Sequence, residues 1–179
     1  EAIERFKLTA NKYPNTPDAI EAVRNAKNIY LDEDNFDEYV AWVQTLQFIN
    51  VSQSEAENSS FTIAERKYFE NKNHSGIIFS LKKYLTKFPK GPNFLKANYY
   101  LADILFKEKQ FDKAIVNYNI ILKAGITPFS EDTLAKLSQI YLEKQKFQDA
   151  LPLLERLEKE AYTIENIQFA QSNLMKGYY

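Results

Sequence analysis

His74 is the only histidine in 179 residues, so a two-histidine zinc motif is excluded and a Ser/His/Asp arrangement would need His74 itself as base. No GxSxG stretch presents a serine at a nucleophile elbow. Cysteine is absent, which removes disulfides, thiolate zinc sites and thiol nucleophiles while leaving the redox compartment open. Asp32, Glu33, Asp34 and Asp37 gather carboxylates, but without the glycine and ligand spacing of a calcium-binding loop they read as a solvated acidic turn. The reading expects no catalytic residue, no metal and no cofactor.

Aromatic side chains make up 15% of the chain and could in principle stack on bases, yet basic residues do not interleave with them on one face. Lys plus Arg number 23 against 24 for Asp plus Glu. A net charge of -1 supplies no whole-molecule field for a polyanion, and nucleic acid is not expected as a partner. No stretch approaches the length of uninterrupted apolar sequence that spans a bilayer. The sequence begins at Glu1 and not at a methionine, so the reading expects an excised piece of a longer protein, any targeting signal having been lost with the missing N-terminus.

The elements that must position these residues announce themselves by repetition. Tyr30 with Phe36, Tyr68 with His74, Leu105 with Phe111 and Tyr141 with Phe147 each place an aromatic or histidine six residues after a tyrosine or leucine. Such self-similarity predicts helix pairs stacked so that neighbours cover one another's apolar faces. Alignment of His74 with three phenylalanines favours packing over catalysis. Prolines stand where helices should begin or end: Pro14 and Pro17, Pro89 and Pro92, and Pro128. Between these stops the apolar period predicts helices over 1–12, 17–33, 36–48, 53–71, 75–88, 93–109, 111–123, 129–145, 147–160 and 163–179. Ser52, Ser54, Ser75 and Ser130 are the expected caps. Pro152 lies inside the ninth segment, which is expected to start nearer Asp149 or to bend there.

The segments FKEKQFDKAIVNYNIIL and YLEKQKFQDALPLLERL place Ala114 and Ala150 where two helices cross, with Tyr118 and Leu154 one turn later. Together with Leu101 and Ala102, and with Leu134, Leu137, Ser138 and Tyr141, they resemble the tetratricopeptide repeat (TPR). The resemblance implies an all-α, right-handed superhelical solenoid of antiparallel helix pairs, with about nine to ten helices in one repeat domain over 1–179. Its register runs from a partial repeat (1–16) through repeats at about 17–51, 52–91, 92–127 and 128–162 to a partial repeat (163–179). Tyr39 and Ile77 replace the small crossing residue in the first two units. Lys27 and Glu65 stand where a small first-helix residue belongs, a role that Ala26 and Ala64, one position earlier, could take. The phrases KYPNTPDA and KFPKGPNF are similar to repeats of bacterial envelope proteins, which makes the periplasm or cell envelope the leading location and the cytoplasm the alternative.

In that family the first helix of each pair lines a concave groove. Transferred here, the groove carries Arg24 and Asn28, then Thr62 and Arg66, then Lys96, Tyr99 and Asp103, and finally Gln139. Arg24, Asn28 and Lys96 coincide with slots that chaperone-binding members use to clamp a terminal carboxylate, but Ile63 and Tyr100 occupy two further slots and argue against a clamp. The implied function is a non-enzymatic scaffold for a peptide or partner protein. Arg66→Ala with Tyr99→Ala is expected to weaken binding at little cost in stability, whereas Tyr141→Ala is expected to cost about 3 to 5 kcal/mol as a buried truncation. The alternative is end-to-end self-association through Phe6 at one end and Leu174 and Tyr178 at the other.

Overall fold

Helices begin where the sequence supplies a cap or a proline. Thr16 accepts a hydrogen bond from the Ala19 amide at 3.2 Å, with Pro17 in the first helical position where its missing N–H costs nothing. Ser52 does the same for the Glu55 amide at 3.1 Å. At the fifth helix the cap is Asn73, which accepts from the Gly76 amide at 3.1 Å, while the expected cap Ser75 lies within the first turn. Ser130 is likewise inside its helix, and its hydroxyl braces the preceding loop through Thr127 and Gly125.

A computed structural model describes residues 1 to 177, and its regular structure there is helical throughout. The helices are α1 (Ala2–Lys12), α2 (Pro17–Asp32), α3 (Phe36–Val43), α4 (Gln53–Glu70), α5 (His74–Lys87), α6 (Phe94–Lys107), α7 (Phe111–Lys123), α8 (Ser130–Glu143), α9 (Phe147–Glu160) and α10 (Ile164–Gly177). They fall into two compact units, Glu1–Glu70 with α1 to α4 and Asn71–Tyr179 with α5 to α10. Among the described residues no helix is long and apolar enough to cross a membrane.

The recurring tyrosine or leucine marks a turn geometry. Asp34, Asn71, Lys109 and Gln145 all hold positive φ, between 49° and 58°, one in each turn that follows a first helix. In three of these turns the next amide reaches back five residues to the carbonyl of the recurring residue: Asn35 to Tyr30, Gln110 to Leu105 and Lys146 to Tyr141, each at 2.8 Å. This is the Schellman closure, in which the left-handed residue directs the chain straight into the next helix. Glycine adopts that conformation without the steric cost borne by an L side chain. Gln145→Gly is therefore expected to raise the unfolding free energy by about 0.5–1 kcal/mol in urea titration. Asp34→Gly should lower stability despite a similar φ, because the Asp34 carboxylate holds Arg66 and Lys67.

In the first unit, Val23, Ala26, Tyr30, Phe36, Tyr39, Val43 and Ile63 form the core. Ala26 and Ala64 are fully buried while Lys27 and Glu65 are half-exposed, so the small crossing residues are indeed those one position earlier. α3 stops at Val43, short of the expected 48, because Thr45 and Leu46 switch to the carbonyls three residues back. That tighter turn buries Leu46 and packs Phe48, Ile49 and Val51 onto the same core. Phe6 also packs against it, so this end-contact candidate is turned partly inward.

In the second unit, Ala114 and Ala150 are fully buried at the crossings, beside Tyr118 at 0% and Leu154 at 1% exposure. Tyr141 packs only partly against the Leu134, Leu154 and Leu157 cluster, so the buried truncation expected there belongs elsewhere. Leu174 is inside the same cluster, and its nomination as an end contact is corrected by that burial. Tyr178 lies outside the described residues. α9 starts at Phe147 and runs through Pro152. Pro152 is solvent-exposed, so the Gln148 carbonyl deprived of its helical donor is on the wet side of the helix.

Candidate functional site

Arg24 and Asn28 stand four residues apart on α2, both exposed, opposite the buried Ala19, Ala22, Val23, Ala26 and Tyr30. Ile20, 43% exposed, extends the same stripe by one turn. Sequence reasoning passed over Ile20, although its position four residues before Arg24 was the signal. Thr62 is exposed on α4. Arg66 is not presented outward in the same way. Its guanidinium donates to the Leu31 carbonyl at 2.9 Å and to Asp34 at 2.7 Å, and Lys67 meets the other Asp34 oxygen at 3.0 Å. The acidic turn is thus partly a staple between α4 and the end of α2. Lys27 and Glu55 add a second bridge between these helices at 2.5 Å.

α6 and α8 carry the other four candidates. Asp103, 3% exposed, sits between Lys136 at 2.5 Å and Lys107 at 2.8 Å. Lys136 also reaches Asp132 at 2.8 Å and lies 5.7 Å from the centre of the Tyr99 ring. Tyr99 stacks on Phe129 at 4.7 Å and donates its hydroxyl to Asp132 at 2.8 Å. Burial pulls the Lys136 ammonium down, but hydrogen bonds and charge from Asp103 and Asp132 outweigh it and raise the net value above the ordinary lysine range. A buried carboxylate costs several kcal/mol unless it is paired, which is why Asp103 and Lys136 appear together. Tyr99 and Asp103 therefore tie α6 to α8. Lys96 lies over the Tyr100 ring at 5.7 Å, and Gln139 is exposed, donating to Glu143 at 2.9 Å.

The partners Asp132 and Lys136 went unread because each lies 33 residues beyond its mate. His74 has both ring nitrogens engaged, Nδ1 by Glu108 and Nε2 by Asn71 at 3.0 Å. It links the start of α5 to the end of α6 through polar contacts, where the alignment with phenylalanines had suggested packing.

Glu131 is another residue that the sequence did not single out. It is 6% exposed on α8 and accepts from the Tyr162 and Thr163 amides at 3.3 and 3.1 Å, from the Asn166 amide side chain at 2.8 Å, and from the Thr163 hydroxyl. These donors surround the start of α10, so one carboxylate from a neighbouring helix serves as its cap. Burial pushes Glu131 upward, but the Thr163 and Asn166 hydrogen bonds outweigh it and hold the carboxyl below the usual glutamate range.

No family model matches the chain, and no curated protein matches it. Among solved structures it is similar to the nearly identical TPR-like repeats of a protein described as a kinesin light chain from Podospora anserina. The TM-score is 0.54 at 16% identity, over 92% of this chain and 87% of that one. Ten helices in order among the described residues, buried alanines at the crossings and this likeness together establish that the chain has the TPR-like fold.

Proposed function

We propose that the chain is a non-enzymatic scaffold that binds an extended peptide or a partner domain along the outward stripes of its first helices. TPR-like repeats are in general surfaces for protein interaction. The observation that carries the reading is the cross-helix pinning of α6 to α8 through Asp103 with Lys136 and Tyr99 with Asp132. Side chains beside such a pinned pair are placed before any partner arrives, so association orders little further structure. Arg24, Asn28 and Thr62 in the first unit, and Lys96 and Gln139 in the second, are the proposed contact residues, with Ile20 as an apolar addition. Arg66, Tyr99 and Asp103 act by holding helices in place. The phrases KYPNTPDA and KFPKGPNF support a bacterial envelope setting for this scaffold.

This assignment changes the informative variants. Arg66→Ala and Tyr99→Ala would loosen the helix contacts as well as any partner, so they do not isolate binding. A displayed peptide library panned on the wild-type chain supplies the ligands. Selected peptides are expected to lose affinity about tenfold, equal to 1.4 kcal/mol, for Arg24→Glu combined with Gln139→Glu. The melting temperature should stay within a few degrees, because both residues are exposed. Selected peptides whose affinity ignores both substitutions would overturn the reading.

A further inference from the structure

α5, α7 and α9 are the second helices of successive repeats, and His74, Phe111 and Phe147 open them at the same place. Counting on from those three residues, the fourth position holds Ile78, Ile115 and Leu151, each partly buried. The fifth holds Phe79, Val116 and Pro152, all exposed, Phe79 at 68% and Val116 at 61%. At 100° per residue this row lies opposite the buried Ile77, Ala114 and Ala150 that form the helix crossings. Apolar side chains scattered singly over a surface need no explanation, but a row repeated on three helices marks a contact face. The eighth position, beside that row, changes sign along it: Lys82 on α5, Asn119 on α7 and Glu155 on α9. The helices as wholes follow suit, since α5 carries three lysines and no carboxylate while α9 carries four carboxylates against two bases.

We infer that this face, distinct from the first-helix stripes, is a lateral docking surface for a second copy of the chain, related by a two-fold axis running along α7. Such an axis lays α5 on α9 of the second copy and α7 on its own counterpart. It brings Lys82 to the second copy's Glu155, Phe79 to its Pro152 and Val116 to its Val116. A two-fold axis running across the helices would lay α5 on α5 and α9 on α9, setting like charges together. The face is therefore complementary to itself in one arrangement, and that is what selects a second copy. Glu155 is already engaged within its own chain, so the charges set the direction of the contact while the apolar rows supply its area. Three helices, each about 20 Å long and about 10 Å wide with side chains, offer roughly 600 Å² per copy, the lower edge of what a specific interface buries. The dimer is accordingly a reversible one. A bilayer would use the apolar row but gains nothing from its change of sign.

Sedimentation velocity on the full chain, run over a range of concentrations, tests this, and a monomer–dimer equilibrium is expected. Val116→Lys places a charge on the axis against its own copy and should weaken association at least about tenfold. Its circular dichroism melt should be unchanged, because the residue is exposed. Lys82→Glu and Glu155→Lys should each weaken association about threefold. Combined in one chain they restore opposite charges across the axis, and association should return to within about twofold of the original. Arg24→Glu with Gln139→Glu should leave the dimer intact, which separates this face from the groove proposed above. A chain that stays monomeric at every concentration, association indifferent to Val116→Lys, or losses at Lys82 and Glu155 that simply add would overturn the inference. Vesicle binding by a monomeric chain, abolished by Val116→Lys, would overturn it in favour of a bilayer.

Discussion

Truncating Tyr118 to alanine should lower the unfolding free energy by about 3–5 kcal/mol, the range for removing a fully buried aromatic side chain. Tyr118 is 0% exposed on α7, one turn from the fully buried Ala114 at the helix crossing. A cavity there cannot close by local collapse, because the helices are held elsewhere by Asp103 with Lys136 and by Tyr99 with Asp132. Chemical denaturation followed by circular dichroism is the measurement. Tyr141→Ala provides the contrast: Tyr141 is only partly buried, so it should lose clearly less. Equal losses at the two positions would show that the packing assigned to α7 and α8 is wrong. Stability in stacked repeats is close to a sum of local and nearest-neighbour terms. The Tyr118 loss should therefore first release protection of amides in α6, α7 and α8, before those of α1 to α3.

Replacing Glu131 by alanine is the second large effect, at roughly 2–3 kcal/mol, because it strips acceptors from donors at a helix start. The Tyr162 and Thr163 amides, the Thr163 hydroxyl and the Asn166 side chain all lose one common partner. Hydrogen exchange should show α10 opening first. Acid should reproduce part of the effect in the unmodified chain. The folded carboxyl is held below its ordinary range, so the unfolded chain binds the proton more readily. Its stabilisation is full above the unfolded glutamate value of about 4.3 and is lost as pH falls through the lower folded value. Glu131→Gln should flatten that portion of the stability profile while costing less than alanine at neutral pH, since the amide oxygen still accepts. A profile unchanged by Glu131→Gln would sink the cap assignment.

What could be read from the chain without coordinates was whatever is encoded by near neighbours. Helix starts at Pro17 and Ser52, the buried Ala114 and Ala150, and the shift of the small residue to Ala26 and Ala64 all follow from spacings within one or two turns. The early end of α3 escaped because Leu46 is buried by tertiary packing that overrides a continuing helical period. The span of α9 was legible, and only its expected start nearer Asp149 fails: Pro152 faces solvent, where a missing hydrogen bond is cheap. The site was less legible than the fold. Exposure of Arg24, Asn28, Thr62 and Gln139 follows from helical phase, but the inward roles of Asp103, Tyr99 and Arg66 depend on mates about one repeat away. No local pattern distinguishes a lysine destined to pair with a buried aspartate from one destined for water.

Those distant pairs have an evolutionary and engineering corollary. Lys27 meets Glu55, Arg66 meets Asp34, Asp103 meets Lys136, and Glu131 meets Thr163 and Asn166. Within the two units the junctions are thus keyed by different chemistry: two ion pairs join α2 and its turn to α4, a buried ion pair joins α6 to α8, and one carboxylate under amide and hydroxyl donors joins α8 to α10. Hairpins shuffled or duplicated within this chain would bring mismatched keys together, stranding a carboxylate or an ammonium at the seam, so their linear succession is itself an inherited specification.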